Sequence, residues 1–303
     1  MGTDPTDSLK HPGCEIWPPK GDQQYRHIQA SLRWEQRWFG GWANSLLLRA
    51  LVTRIVQQLS TSYGRALVAQ HLDHFDLVFS AGPYCRNAFH VRRLFNQHEA
   101  FPFDWWVTPA SSMGRMLQPE YRFALTPEQI FLTHSAQVAL NSRDQILQLH
   151  DLARTPTGEL SMANLEIQLE QINAKYSFLF ERLRNRLHDA KRCLLIFEGL
   201  MSATELETYR QRTSCPELSY PALAPSYASD LVAMLQGAYK VEATLVCFSL
   251  GPPGIYKYPH LLQISAPVLE SVFDKDAEPY QRPWASYDLL VAQLCSAIGQ
   301  PMQ

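Results

Sequence analysis

Cys193-Leu194-Leu195-Ile196-Phe197 is a short, unbroken apolar run that reads as a strand buried on both faces. Immediately before it runs a long helical pattern. Ser161 is placed to cap that helix, and Leu165, Leu169, Ile172, Tyr176, Leu179, Leu183 and Leu187 follow at alternating spacings of three and four, up to Lys191-Arg192. Beyond the strand the alternation continues. Helical patterns over residues 203–211 and 227–235 lead to a strand over 243–250, a shorter one over 261–264 and a terminal helix over 284–298. Upstream, Leu77-Val78-Phe79 is a buried-strand candidate and residues 85–96 a helix. A loop through Phe101–Trp106 follows, then a short helix near 110–117 and another after Thr126-Pro127-Glu128. Strands alternating with helices predict an α/β fold in which helices cover a sheet.

Three segments are expected. Residues 1–24 read as a flexible leader, because Pro5, Pro12, Pro18, Pro19 and Gly21 interrupt every element. Residues 25–75 read as an N-terminal helical extension broken at Gly40-Gly41, with Leu47, Leu48, Leu51, Ile55 and Leu59 on one face. That face is expected to pack internally. Trp34, Trp38, Phe39 and Trp42, mixed with Arg33, Arg37 and Arg49, also suit a partner or peripheral contact with a membrane surface. Residues 76–303 make the α/β domain.

Composition narrows the functional classes. A chain of 303 residues with 46% hydrophobic content can bury a sizeable core, and its net charge of −2 supplies no basic field for nucleic acid. The six cysteines, Cys14, Cys85, Cys193, Cys215, Cys247 and Cys295, are scattered without a C-x-x-C pair, so neither a disulfide framework nor a zinc site is expected. With no signal-like start and no transmembrane-length apolar stretch, a cytoplasmic location is expected. Met1-Gly2-Thr3-Asp4-Pro5-Thr6 matches the myristoylation pattern, one short enough to arise by chance. Neither phosphate-binding glycine loop is present, and no cofactor or metal is expected. His71-Leu72-Asp73-His74 lacks the glutamate of a His-Glu-x-x-His site and reads as a solvated helix end.

The chemistry centres on Ser80-Ala81-Gly82-Pro83-Tyr84-Cys85-Arg86-Asn87-Ala88, where a strand ends, a Gly-Pro turn follows and a helix opens on the cysteine. Unpaired N–H groups in a first helical turn favour a thiolate and lower a thiol's pKa. A cysteine nucleophile needs an imidazole to accept its proton. His150 follows a strand-like Gln145–Leu149 and precedes Asp151; His134, in Phe131-Leu132-Thr133-His134-Ser135, is its rival. Asp104 lies inside the apolar run Phe101-Pro102-Phe103-Asp104-Trp105-Trp106, where a carboxylate must be paired. It either orients His150 or anchors the loop. Glu198, just past Phe197, is a further acid.

These residues resemble a bacterial family of papain-like cysteine peptidases whose function is not established. Its pattern of Ser-x-Gly-x-x-Cys, Pro-Phe-Asp-Trp, a His-Asp pair, Lys-Tyr, an arginine-bearing helix and an apolar strand is similar to Ser80–Cys85, Pro102–Trp105, His150-Asp151, Lys175-Tyr176, Arg182 and Leu194–Phe197. The resemblance spans residues 76–250. It departs at Leu152, where phenylalanine is usual, and lacks the arginine often found after the strand.

The resemblance implies a papain-like core, with Cys85 as nucleophile and His150 as base and then acid. Asp104 would orient His150, with Asp151 and Glu198 as alternates; Tyr84, Arg86, Trp105 and Trp106 would contact substrate. Three functions follow: hydrolysis of a peptide, amide or thioester; acyl transfer to a sugar or surface polysaccharide; or non-catalytic binding through the Trp-rich helices with Cys85 in the core. The implied substrate is a small molecule, peptide or glycan.

Overall fold

The computed structural model describes residues 14–15, 46–82, 84–132, 136, 138–148, 150–199, 225–252, 254–266 and 284–298. In chain order these form β1 (Cys14–Glu15), α1 (Leu46–His71), β2 (Leu77–Ser80), α2 (Cys85–Phe95), β3 (Trp106–Val107), α3 (Ala110–Met116), β4 (Ile130–Leu132), β5 (Ala139–Asn141) and β6 (Ile146–Gln148). There follow α4 (Leu165–Asp189), β7 (Arg192–Gly199), α5 (Pro225–Tyr239), β8 (Glu242–Leu250), β9 (Gly254–Tyr258), β10 (Leu261–Ala266) and α6 (Trp284–Ile298).

The main sheet has the order β1-β9-β10-β8-β7-β2. β2, β7, β8 and β10 run parallel, while β9 and β1 add antiparallel strands at one edge. β7 lies between β8 and the edge strand β2, and its apolar run is explained by the period-two alternation of a strand covered on both sides. Cys193, Leu195 and Phe197 face α4, α5 and a second sheet, whereas Leu194 and Ile196 face α1, α2 and α6. The second sheet, β3-β6-β5-β4, is small and antiparallel. The α/β class with helices covering a sheet is therefore observed.

Several local expectations are corrected. The stretch after Thr126-Pro127-Glu128 forms only a 3₁₀ turn, Pro127–Gln129, before β4. Ser161 does not cap α4; the helix opens at Leu165 after Asn164 (φ 53°), and the Ser161 hydroxyl accepts the Ala163 N–H at 3.3 Å. Cys14 and Glu15, inside the expected leader, pair with Tyr256 and Ile255 of β9.

The α1 stripe is also corrected. Ile55 and Leu59 are 46% and 66% exposed, and the helix instead buries Leu67 and Val68 among α2 and α6 residues. It packs against α2 at Gly64, where an added Cβ would lie 2.5 Å from Leu94 Cδ2. The side chains of Leu47, Leu48 and Leu51, the Trp-rich stretch 34–42, Gly40-Gly41 and the expected helix over 203–211 lie outside the described residues. Among the described residues no helix is long and apolar enough to cross a membrane.

Candidate active site

The segment after β2 is fastened along β7, extending the strand pairing. The Ala81 N–H donates to the Ile196 carbonyl at 2.8 Å, and the Glu198 N–H to the Gly82 carbonyl at 2.9 Å. Gly82 turns the chain at φ 87°, and a Cβ there would meet the Thr108 carbonyl at 3.1 Å, so the turn requires glycine. Asn87 completes the fastening. Its amide donates to the carbonyls of Gly82 (3.1 Å) and Ile196 (2.6 Å) and accepts the Tyr287 hydroxyl at 2.6 Å. Cys85 consequently stands at the carboxyl ends of parallel strands, where open α/β sheets place their ligands.

α2 begins at Cys85 with no side-chain cap from Tyr84, and the N–H groups of Cys85 and Arg86 interact with the thiol. Yet the thiol is not acidified. Burial pushes the Cys85 pKa up, the Glu198 charge pushes it further, and Arg86 with the two amides offsets this incompletely. The expected thiolate at rest is thus corrected to a neutral thiol. Glu198 is wholly buried and accepts from Arg86, at 2.9 Å from Nε and also from Nη2; its Oε2 has no hydrogen-bond partner among the described residues. Arg86 therefore braces Glu198 under the cysteine.

The His150 wall is built differently. β6 ends at Gln148, and His150 stands exposed at the rim with its ring edge-on to Trp105, centroids 6.3 Å apart. Desolvation lowers the His150 pKa, with Arg154 and Lys175 acting in the same sense against Asp151, so the imidazole is neutral at pH 7. Asp151 receives hydrogen bonds from Tyr176 Oη and Lys175 Nζ, each at 2.6 Å. The His-Asp and Lys-Tyr pairs of the sequence therefore meet in space.

Asp104 anchors its loop. Its carboxylate pairs with Arg92 and accepts the Phe101 N–H at 2.9 Å, while burial pushes its pKa up to about 6 against the pull of Arg92. His150 makes no hydrogen bond to Asp104, Asp151 or any other described residue, so no orienting carboxylate is seen.

Cys85, His150, Asp104 and Trp105 line one open cleft of about 1230 Å³. Tyr84, Arg86 and Trp106 do not; Tyr84 and Trp106 are core residues, and Arg86 is turned onto Glu198. Tyr84 packs with Val107, Val138 and Leu147, and Trp106 lies 4.0 Å from the Tyr176 ring and 5.3 Å from that of Phe123. His134 lies outside the described residues. No group of three potential metal ligands occurs among the described residues.

The structure adds three residues that sequence reasoning missed: Asn87 and Tyr287, which hold the Cys85 segment, and Arg92, which holds Asp104. A polar Asn87 amid the apolar positions of α2 was the available signal; Tyr287 in so apolar a helix gave none. No family model, curated protein or solved structure matches the chain.

Proposed function

We propose that the cleft performs Cys–His acyl transfer, hydrolysing a peptide, amide or thioester. The single observation carrying this reading is that Cys85 and His150 share one cleft, with the cysteine at the first turn of an eleven-residue helix. Cys193, Cys247 and Cys295 are buried whereas Cys85 is only partly so, which sets Cys85 apart from these core cysteines. That difference favours an enzyme over the non-catalytic binding protein. In this proposal "papain-like" refers to the dyad's chemistry.

With the thiol protonated at rest, the proposed chemistry is general-base catalysis by His150 rather than a resting ion pair. Cys85 Sγ attacks the acyl carbon while His150 takes the thiol proton. The oxyanion is received by the N–H groups of Cys85 and Arg86. Collapse expels the leaving group, protonated by His150, and leaves a thioester on Cys85. His150 then deprotonates water, which attacks that thioester, releases the carboxylic acid and restores the thiol. Transfer to a sugar hydroxyl would need the acyl-enzyme shielded from water by Trp105 and Trp106 together. Since Trp106 is in the core, hydrolysis stays the first reading.

The test is acetylation of Cys85 by p-nitrophenyl acetate, followed by mass. Its rate should rise along a limb below the ordinary imidazole value of about 6.5, then level off, and fall on the order of 100-fold in His150→Ala. Iodoacetamide alkylation, which needs the thiolate, should climb only above about 8.5. Acetylation indifferent to His150 overturns the reading.

A further inference from the structure

The cleft is strongly cationic although the chain as a whole is slightly acidic. Arg54, Arg65, Arg92 and Arg93 line it together with Cys85. Two of them are neutralised: Arg92 pairs with Asp104 and Arg93 with Asp288. Arg54 has no acidic partner among the described residues. Among the described residues Arg65 bonds through Nε alone, which donates to the Arg93 carbonyl at 2.8 Å, and its guanidinium has no acidic partner there.

Both free charges belong to α1, on the face that turns Gln58, Thr61 and Ser62 to the same cleft. Eleven residues separate them, about 16 Å along the helix axis. Phe89 and Trp284, ring centroids 5.6 Å apart, add apolar surface to the same cleft. Its volume of about 1230 Å³ exceeds the range common for small-ligand pockets.

Resting on the Cys–His reading of the site, we infer that the substrate is an acyl thioester whose leaving group carries phosphates, with Arg54 and Arg65 seating the phosphates and Cys85 receiving the acyl group. The guanidinium fork matches phosphate oxygens bidentately. In the reaction the Cys85 S–H and the substrate's C–S bonds break, and a new C–S bond forms on Cys85. The thiol proton passes through His150 to the departing thiolate. No oxidant or further reactant is needed before water resolves the acyl-enzyme.

Acetyl-coenzyme A serves as the probe and S-acetyl-N-acetylcysteamine as its phosphate-free control, both titrated calorimetrically into Cys85→Ser protein. The phosphate-bearing probe should bind preferentially, weaken with salt, and lose about tenfold in affinity with each of Arg54→Gln and Arg65→Gln. Because Arg65 also touches Arg93, Gln58→Glu provides a check that places a negative charge on the same face without removing an arginine. It should weaken binding too. No binding, or binding indifferent to all three substitutions, overturns the inference.

The two readings fail separately. Arginine-dependent binding of acetyl-coenzyme A with acetylation by p-nitrophenyl acetate indifferent to His150 upholds the phosphate seat and overturns the dyad. His150-dependent acetylation by p-nitrophenyl acetate with no binding of acetyl-coenzyme A does the reverse.

Discussion

The two walls of the cleft are built on opposite plans. Beneath Cys85 the polar groups are buried and interlocked: Asn87 ties β2, β7 and α6 together, and Arg86 is pinned on a wholly buried Glu198. Across the cleft His150 is exposed, unbonded to any described residue and carried by a small sheet of two- and three-residue strands. Unfolding is expected to sense the first wall and chemistry the second. A nucleophile needs a fixed oxyanion site, while a proton acceptor at the rim has to meet solvent and the leaving group.

The largest expected effect tests the buried wall. Glu198→Gln breaks a buried pair and should cost about 3–5 kcal/mol in urea unfolding. The same change removes a charge that holds the thiol up, so Cys85 alkylation at pH 7 should accelerate; an unchanged rate would detach Glu198 from the site.

Asn87→Ala comes next, at about 3 kcal/mol, because three buried hydrogen bonds are lost and the Tyr287 hydroxyl is left without its acceptor, although the Gly82 and Ile196 carbonyls keep the Glu198 and Ala81 N–H groups. A loss below about 0.5 kcal/mol would mean that the Cys85 wall is not interlocked.

Asp104 bridges the walls and tests them by pH. Its folded pKa of about 6 lies above the unfolded 3.8, so its contribution is full below pH 3.8 and is lost as pH rises through 6. Wild type should therefore lose stability relative to Asp104→Asn between pH 4 and 7, by on the order of 2 kcal/mol. The opposite slope would show that the Arg92 pair outweighs burial.

The smallest stability effect is expected at the rim. His150→Ala should change unfolding by less than about 0.5 kcal/mol while abolishing most Cys85 acetylation. A large stability loss there would erase the contrast between the walls.

Legibility in the sequence follows the same contrast. The apolar runs of β7 and β8 and the three-four spacing of α4 were readable because long elements repeat their period several times. β3 to β6 were largely hidden, since two or three residues cannot display an alternation. Local chemistry singled out Cys85, Asp104 and Trp105, which line one cleft, but did not show that Tyr84 and Trp106 lie in the core, because a large aromatic beside a cleft reads the same whether it faces the cleft or the core.

By itself the sequence determined the α/β class, the buried strand β7 and the opening of a helix on Cys85, since hydrophobic period and turn chemistry are local properties of the chain. Only the tertiary structure decided the charge state of the site. Burial and Glu198 raise the Cys85 thiol while Arg86 opposes them, and Arg86 and Glu198 come from a helix and a strand more than a hundred residues apart. Desolvation depends on what packs above a group, and that is fixed only when α1, α2 and the sheet close around it.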